Sequence, residues 1–245
     1  MKTYISLLFV AGILIACNDA TAISDTTQDT AHIEEPATTG KVSANTDTFS
    51  VGNKQFTILP LAASSFKKQE APENDTTDAQ EIAVDRNRVR RNGDTLIFSL
   101  TNGQQARLVN NRVDNGEDYA LYFYSRYVPE IQQYLVMGNY YESNDCVLVN
   151  AVDGTMTHVW GTPVVSPDRK YIVCGSVDLF ANFNNNGLQL FSYSNNKLTA
   201  VGDVTFDKWG PGQMKWLNNN TIEAEYITLD KNSSEVIRPV KLLMR

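Results

Sequence analysis

The stretch Gly161-Thr-Pro-Val-Val-Ser-Pro-Asp-Arg-Lys-Tyr-Ile-Val-Cys-Gly175 decides how the rest of the chain is read. Two valines, a polar turn from Ser166 to Lys170 and a second apolar run form the pattern of one strand doubling back on another. Its pieces recur. Tyr134-Leu-Val-Met-Gly138 repeats Tyr171-Ile-Val-Cys-Gly175 at an interval of 37 residues, from 134 to 171. Met214-Lys-Trp-Leu-Asn-Asn-Asn-Thr-Ile222 repeats the order apolar residues, polar turn, strand found in Val164 to Ile172. Further out, three hairpins of equal length recur at Leu96 to Asn110, Val147 to Gly161 and Leu188 to Gly202. They turn at Asn102-Gly103, Asp153-Gly154 and Ser194-Asn195, residues that tolerate the positive φ of turns joining twisted strands. The last two hairpins begin 41 residues apart, at 147 and 188, close to the ~40 to 50 residues of a propeller blade.

The expected fold is therefore all-β, a propeller-like repeat of antiparallel sheets with about four units near 51–110, 119–161, 163–202 and 209–245. A four-bladed ring, an incomplete propeller and a sandwich-like stack all satisfy the spacing. The first unit is irregular: Val51 to Ala62 reads as one or two strands, Ser64 to Gln80 as a polar insertion, and Glu81 to Arg91 as a strand turning at Asn92-Gly93. Ser166-Pro167-Asp168-Arg169-Lys170 resembles the Ser-Pro-Asp-Gly-Lys turn of TolB-type and WD-repeat propellers. It departs from that turn at Arg169, where glycine is usual, and the chain has no Gly-His or Trp-Asp pair. The resemblance implies blade architecture and carries no function.

The amino terminus has a different logic. Lys2 gives a positive start, Ile5 to Ile15 an apolar run too short to span a bilayer, and Leu14-Ile15-Ala16-Cys17 follows. This segment resembles a bacterial lipoprotein signal peptide, which implies cleavage after residue 16 and acylation of Cys17. Residues 17–50 then read as a lipidated cysteine and a disordered tether, rich in Thr, Ala and Asp and poor in large apolar side chains. The expected partner is the lipid bilayer, through acylated Cys17, and the expected location is the cell envelope, at the outer membrane on its periplasmic face or surface. Of the formal net charge of -7, most lies in the tether. A general nucleic-acid binder needs the opposite sign.

No Gly-x-Ser-x-Gly, phosphate-binding loop, His-Glu-x-x-His or dinucleotide fingerprint occurs, and no cofactor or metal site is expected. Cys146 and Cys174, in a compartment that permits disulfides, are either a bridge or two buried thiols. Asn182 to Gly187 has the alternation of half a calcium loop, but a polar hairpin loop explains it better. Arg86, Arg88 and Arg90 lie two apart, on one face of a strand, either clamping an anion or guarding an edge. Glu223 and Glu225 share a face at glycosidase-like spacing, or simply point to solvent. The aromatic residues Tyr122, Tyr124, Tyr127, Tyr140, Tyr141, Trp160 and Trp209 suit glycan stacking, a protein interface or a core. The functional expectation is a non-enzymatic binding body for an envelope protein or glycan. A glycan-processing enzyme using acidic residues and a purely structural envelope protein are the alternatives.

Overall fold

The computed structural model describes residues 47–66, 77–113 and 116–245, which belong to one unit spanning 44–245. Cys17, the lipobox and the tether up to residue 46 lie outside the described residues, as does part of the polar insertion, whereas residues 48–50, expected as the end of the disordered tether, are strand paired to residues 55–57. In chain order the elements are β1 (Thr48–Val51), β2 (Lys54–Pro60), α1 (Ala79–Val84), β3 (Val89–Asn92), β4 (Thr95–Ser99) and β5 (Gln105–Val109). There follow β6 (Ala120–Val128), β7 (Gln133–Tyr140), β8 (Asn144–Asn150), β9 (Met156–Val159), β10 (Val164–Val165) and β11 (Tyr171–Ser176). The series ends with β12 (Gly187–Ser194), β13 (Lys197–Thr205), β14 (Gly210–Asn218), β15 (Thr221–Leu229) and β16 (Glu235–Met244). Among the described residues no helix is long and apolar enough to cross a membrane.

The fold is all-β and propeller-like: four antiparallel sheets follow one another along the chain. The first is β3-β4-β5, the second β6-β7-β8-β9, the third β10-β11-β12-β13 and the fourth β14-β15-β16-β2-β1. Residues 51–60, expected in the first unit, belong instead to the last. β2 pairs with β16 from Val240↔Pro60 to Met244↔Phe56, so the amino-terminal hairpin completes the carboxy-terminal sheet. The ladder supplies the reason: it satisfies the backbone of β16 and seats Val51 and Phe56, each 1% exposed, in the core. Glu81 to Arg91 is not one strand either. It starts with α1, turns through Asp85 to Arg88 and only then enters β3, because a six-residue run cannot separate period 2 from the helical period.

Three cores lie between successive sheets. The first and second sheets share Val89, Leu96, Phe98, Tyr124, Tyr134 and Val136, the second and third Leu135, Cys146, Leu148, Ile172, Cys174 and Phe191. The third and fourth share Val173, Leu188, Leu190, Ile222, Ala224 and Leu242. Neighbours along β7 and β11 thus enter different cores, since strand side chains alternate between faces. This explains the continuous apolar runs: a sheet covered on both faces has no polar side. At the outer face of the fourth sheet Glu223 is 2% exposed under the segment 61–66.

The opening stretch carries the chain from the second sheet to the third. A β-carbon on Gly161 would stand 2.1 Å from the carbonyl oxygen of Gly175, so the two glycines bounding the stretch lie backbone against backbone. In its turn, the Ser166 hydroxyl donates to Asp168 Oδ1 at 2.8 Å and accepts the Tyr171 amide at 3.0 Å. The Asp168 amide donates to Asn219 Oδ1 at 3.1 Å, joining this turn to the matching one between β14 and β15.

Candidate functional site

The second and third sheets leave a cavity of about 310 Å³ at the end where β7 meets β8 and β11 leads into the 177–186 loop. Gly138 and Asp145 are paired across β7 and β8, while Cys146 pairs with Val159 and Val147 with His158 across β8 and β9. Alternation therefore places Tyr140, Asp145 and His158 on one face. Tyr140 Oη donates to Asp145 Oδ1 at 2.7 Å, and His158 Nδ1 lies 2.6 Å from Asp145 Oδ2. A β-carbon on Gly138 would stand 2.5 Å from Tyr140 Oη and 2.7 Å from Asp145 Oδ1, so the bare Cα is the floor on which the two groups meet. Burial first, then the bond to Asp145, pushes the Tyr140 phenol well above its ordinary pKa and keeps it a donor. With Nδ1 engaged by Asp145, Nε2 is the ring nitrogen left for a ligand, and the His158 side chain is 58% exposed.

The opposite wall is a loop built around one carboxylate. Asp178 accepts the backbone amides of Ala181, Asn182, Phe183 and Asn184 at 2.8 to 3.0 Å. These amides, foremost that of Asn184, hold its carboxyl below the usual range. Asn186 donates to the carbonyls of Phe206 and Trp209, and Asn184 Oδ1 accepts the Asn144 amide at 2.8 Å, tying the loop to β8. The result is a fixed loop that holds Phe183, 55% exposed, and Asn184 and Asn185 at the cavity mouth. The half-calcium pattern of Asn182 to Gly187 is accordingly a loop whose amides converge on a carboxylate, leaving that carboxylate saturated by donors.

Of the aromatic residues singled out in the sequence, Tyr140 and Trp160 line this cavity, and the Trp160 amide is fixed to Gln189 Oε1 at 2.8 Å. Tyr141 is exposed beside it, and Tyr122 meets Tyr140 edge-to-face at 6.2 Å while half-buried against the first core. Tyr124 is 2% exposed and donates to Asp85 Oδ2, so it is core, not surface. Tyr127 lies half-buried under the Arg88 guanidinium at 4.7 Å. Trp209 is stacked between Phe206 at 4.0 Å and Tyr226 at 4.3 Å and is buried.

The arginines form no single face. Arg86 and Arg88 lie in the turn before β3 and only Arg90 is in the strand. It is Arg91 that pairs with a carboxylate: its guanidinium grips buried Asp78 through Nε at 3.0 Å and Nη2 at 2.5 Å, and donates to the Tyr122 carbonyl. Cys146 and Cys174 are free thiols in the second core interface, not a bridge; burial pushes the Cys146 thiol up to about 11 and raises Cys174 as well. Glu223 is far from solvent-facing. Its oxygens accept the Ser65 amide at 2.7 Å and the Ser65 hydroxyl, with Lys215 Nζ at 3.5 Å. Burial raises its pKa, but Ser65 and Lys215 outweigh that and leave it lowered. Glu225 accepts the Gln213 amide at 2.9 Å. Neither carboxylate lines the cavity.

Asp145 carried no signal in the sequence, and Phe183 and Asn185 showed only as part of an asparagine-rich loop. What unites them is long-range pairing. A second groove of about 390 Å³ is bordered by Arg126, Glu130 and Arg169, and the one fixed hydroxyl in its lining, that of Ser166, is engaged by Asp168 and the Tyr171 amide.

No family model matches the chain, and no curated protein does. Among solved structures, the native arabinanase Arb43A of Bacillus subtilis is similar at 11% identity and a TM-score of 0.27, over 81% of this chain and 91% of that one. A subtype N11 neuraminidase-like protein of A/flat-faced bat/Peru/033/2010 (H18N11) is similar at 7% identity and a TM-score of 0.21, over 77% of this chain and 57% of that one.

Proposed function

We propose that the chain is a lipid-anchored, non-enzymatic binding protein of the cell envelope that holds its ligand in the cavity between the second and third sheets. The observation that carries this reading is the cavity's prior fixation. Tyr140, Asp145 and His158 are bonded to one another, and the opposite loop is held by four amides on Asp178. Groups fixed before the ligand arrives lose little conformational freedom on binding it. The acidic residues with glycosidase-like spacing speak for a binder and not a hydrolase, because Glu223 and Glu225 are occupied by backbone amides outside the cavity. The anchor rests on Leu14-Ile15-Ala16-Cys17, and the outer membrane is the proposed site.

Two experiments test it. Fatty-acid labelling followed by membrane fractionation should mark the wild-type chain and not Cys17→Ser; equal labelling removes the anchor. Pull-down from solubilised envelope should enrich a ligand with the wild-type chain and lose it with Trp160→Ala. Recovery of nothing above that variant removes the binding reading.

A further inference from the structure

We infer that the cavity takes the end of a neutral glycan, an uncharged sugar ring with free hydroxyls. This deepens the binding reading above and rests on it. The chemistry of the walls selects the class. No lysine or arginine among the described residues lines the cavity, and Asp145 is the one carboxylate in its lining, so an anionic ligand meets a like charge and no Lys or Arg to offset it. A cation fares little better. Each oxygen of Asp145 already has one partner, Tyr140 or His158, so a ligand ammonium would share this single carboxylate and not hold it alone.

What remains free is a set of hydrogen-bonding groups able to donate and to accept. Tyr140 Oη donates to Asp145 and keeps its lone pairs, and the imidazole offers Nε2. The side-chain amide of Asn185, at the exposed mouth, can donate and accept. A hydroxyl is the ligand group that donates and accepts at once, and a ring bearing several of them satisfies such a set without bringing charge. Trp160 in the wall and Phe183 at the mouth add flat apolar faces, which suit the C–H face of a sugar ring. Phe183 is more than half exposed, yet its backbone is held by Asp178, so a large aromatic ring is kept in water beside a polar cavity. A volume of about 310 Å³ lies at the small end of the ~300 to 1,000 Å³ typical of small-molecule sites, which suits a glycan terminus and not a long chain through a cleft.

The test titrates the intact chain in detergent with methyl glycosides and short oligosaccharides in three sets, neutral, amino-substituted and acidic, read by calorimetry and tryptophan fluorescence. At least one neutral sugar should bind and the acidic set should not. Trp160→Ala should weaken binding at least tenfold. Gly138→Ala should weaken it at least fivefold with little loss of thermal stability, since the new methyl displaces only the ends of the Tyr140 and Asp145 side chains. Arg90→Ala, on β3, should change nothing. Preference for acidic sugars, or neutral binding indifferent to both Trp160→Ala and Gly138→Ala, overturns the inference. If no sugar binds but an envelope protein is captured and lost with Trp160→Ala, the sugar inference falls and the binding reading stands. If neither is captured, both fall. If a bound neutral sugar is cleaved, the ligand class stands and the non-enzymatic reading falls.

Discussion

Arg169 occupies the position that glycine takes in the similar propeller turn, and it pays for that with a φ of 60°. A side chain in the left-handed region costs ~1–2 kcal/mol, partly offset by the greater unfolded-state freedom of glycine. Arg169→Gly should therefore stabilise the chain by up to about 1 kcal/mol, checked by chemical denaturation against wild type. An unchanged or lowered midpoint would mean that the arginine side chain contributes more than the strain removes. The two buried cysteines give a second residue-scale prediction. Only the thiolate reacts, and with Cys146 pushed up to about 11 and Cys174 raised further inside the core, both should resist iodoacetamide at mildly alkaline pH. In guanidinium both should label rapidly. Labelling of either in the folded chain at the rate seen in denaturant would place it nearer the surface than its burial requires.

At the scale of elements, the loop from Asp178 to Asn186 is the clearest case of structure held by one side chain. Its carboxyl pKa is lowered by the four amides, below the unfolded carboxylate value of about 3.9. The loop's stabilisation is therefore complete above that pH and is lost as pH falls through the lower folded pKa. Glu223, also lowered, puts the same sign on the docking of residues 61–66. Asp178→Ala should free the loop at neutral pH. The expected result is rapid chymotryptic cleavage at Phe183, whose ring is already exposed, with only a small change in melting temperature. Resistance equal to wild type would show that the ties of Asn184 and Asn186 hold the loop without the carboxylate.

For the whole molecule, the decisive contact is between the two ends of the described chain. β1 and β2 are remote in sequence from β16 yet complete its sheet. Phe56 stacks on Phe49 at 5.1 Å and lies in the core between the third and fourth sheets. Phe56→Ala should cost about 3–5 kcal/mol, a large part of a typical domain's stability, measured as a loss of denaturation midpoint. Deleting residues 47–60 should unfold the unit, since it strips both Phe56 and Val51 from that core and leaves one edge of β16 unpaired. A deletion that keeps the wild-type circular dichroism and a cooperative melt would show that the first strands are an accessory and not a closure.

The amino-acid sequence alone determined the class of fold and the positions of its turns. Gly103 and Gly154 adopt φ of 82° and 78° at the expected turns, because a primed or left-handed residue is demanded locally and glycine supplies it locally. At the third hairpin the turn falls on Asn195 and Asn196, both with positive φ, one residue later than Ser194-Asn195, since two successive asparagines tolerate that region better than Ser followed by Asn. The repeat was legible too, but not its phase. Aligning Tyr134 with Tyr171 sets a residue facing the first core against one packed toward the third and fourth sheets. Equivalence by facing pairs Tyr134 with Ile172, an even interval, because a one-residue slip reverses every side chain. Sheets apolar on both faces hide such a slip. Tertiary structure alone decided which sheet the first hairpin joins, that Tyr124 and Trp209 are core while Tyr140 and Trp160 line a cavity, and that Asp145 meets both Tyr140 and His158. Turn chemistry acts over neighbouring residues and is written in them, whereas burial and convergence depend on which strand lies alongside, and that is fixed by packing over the whole chain.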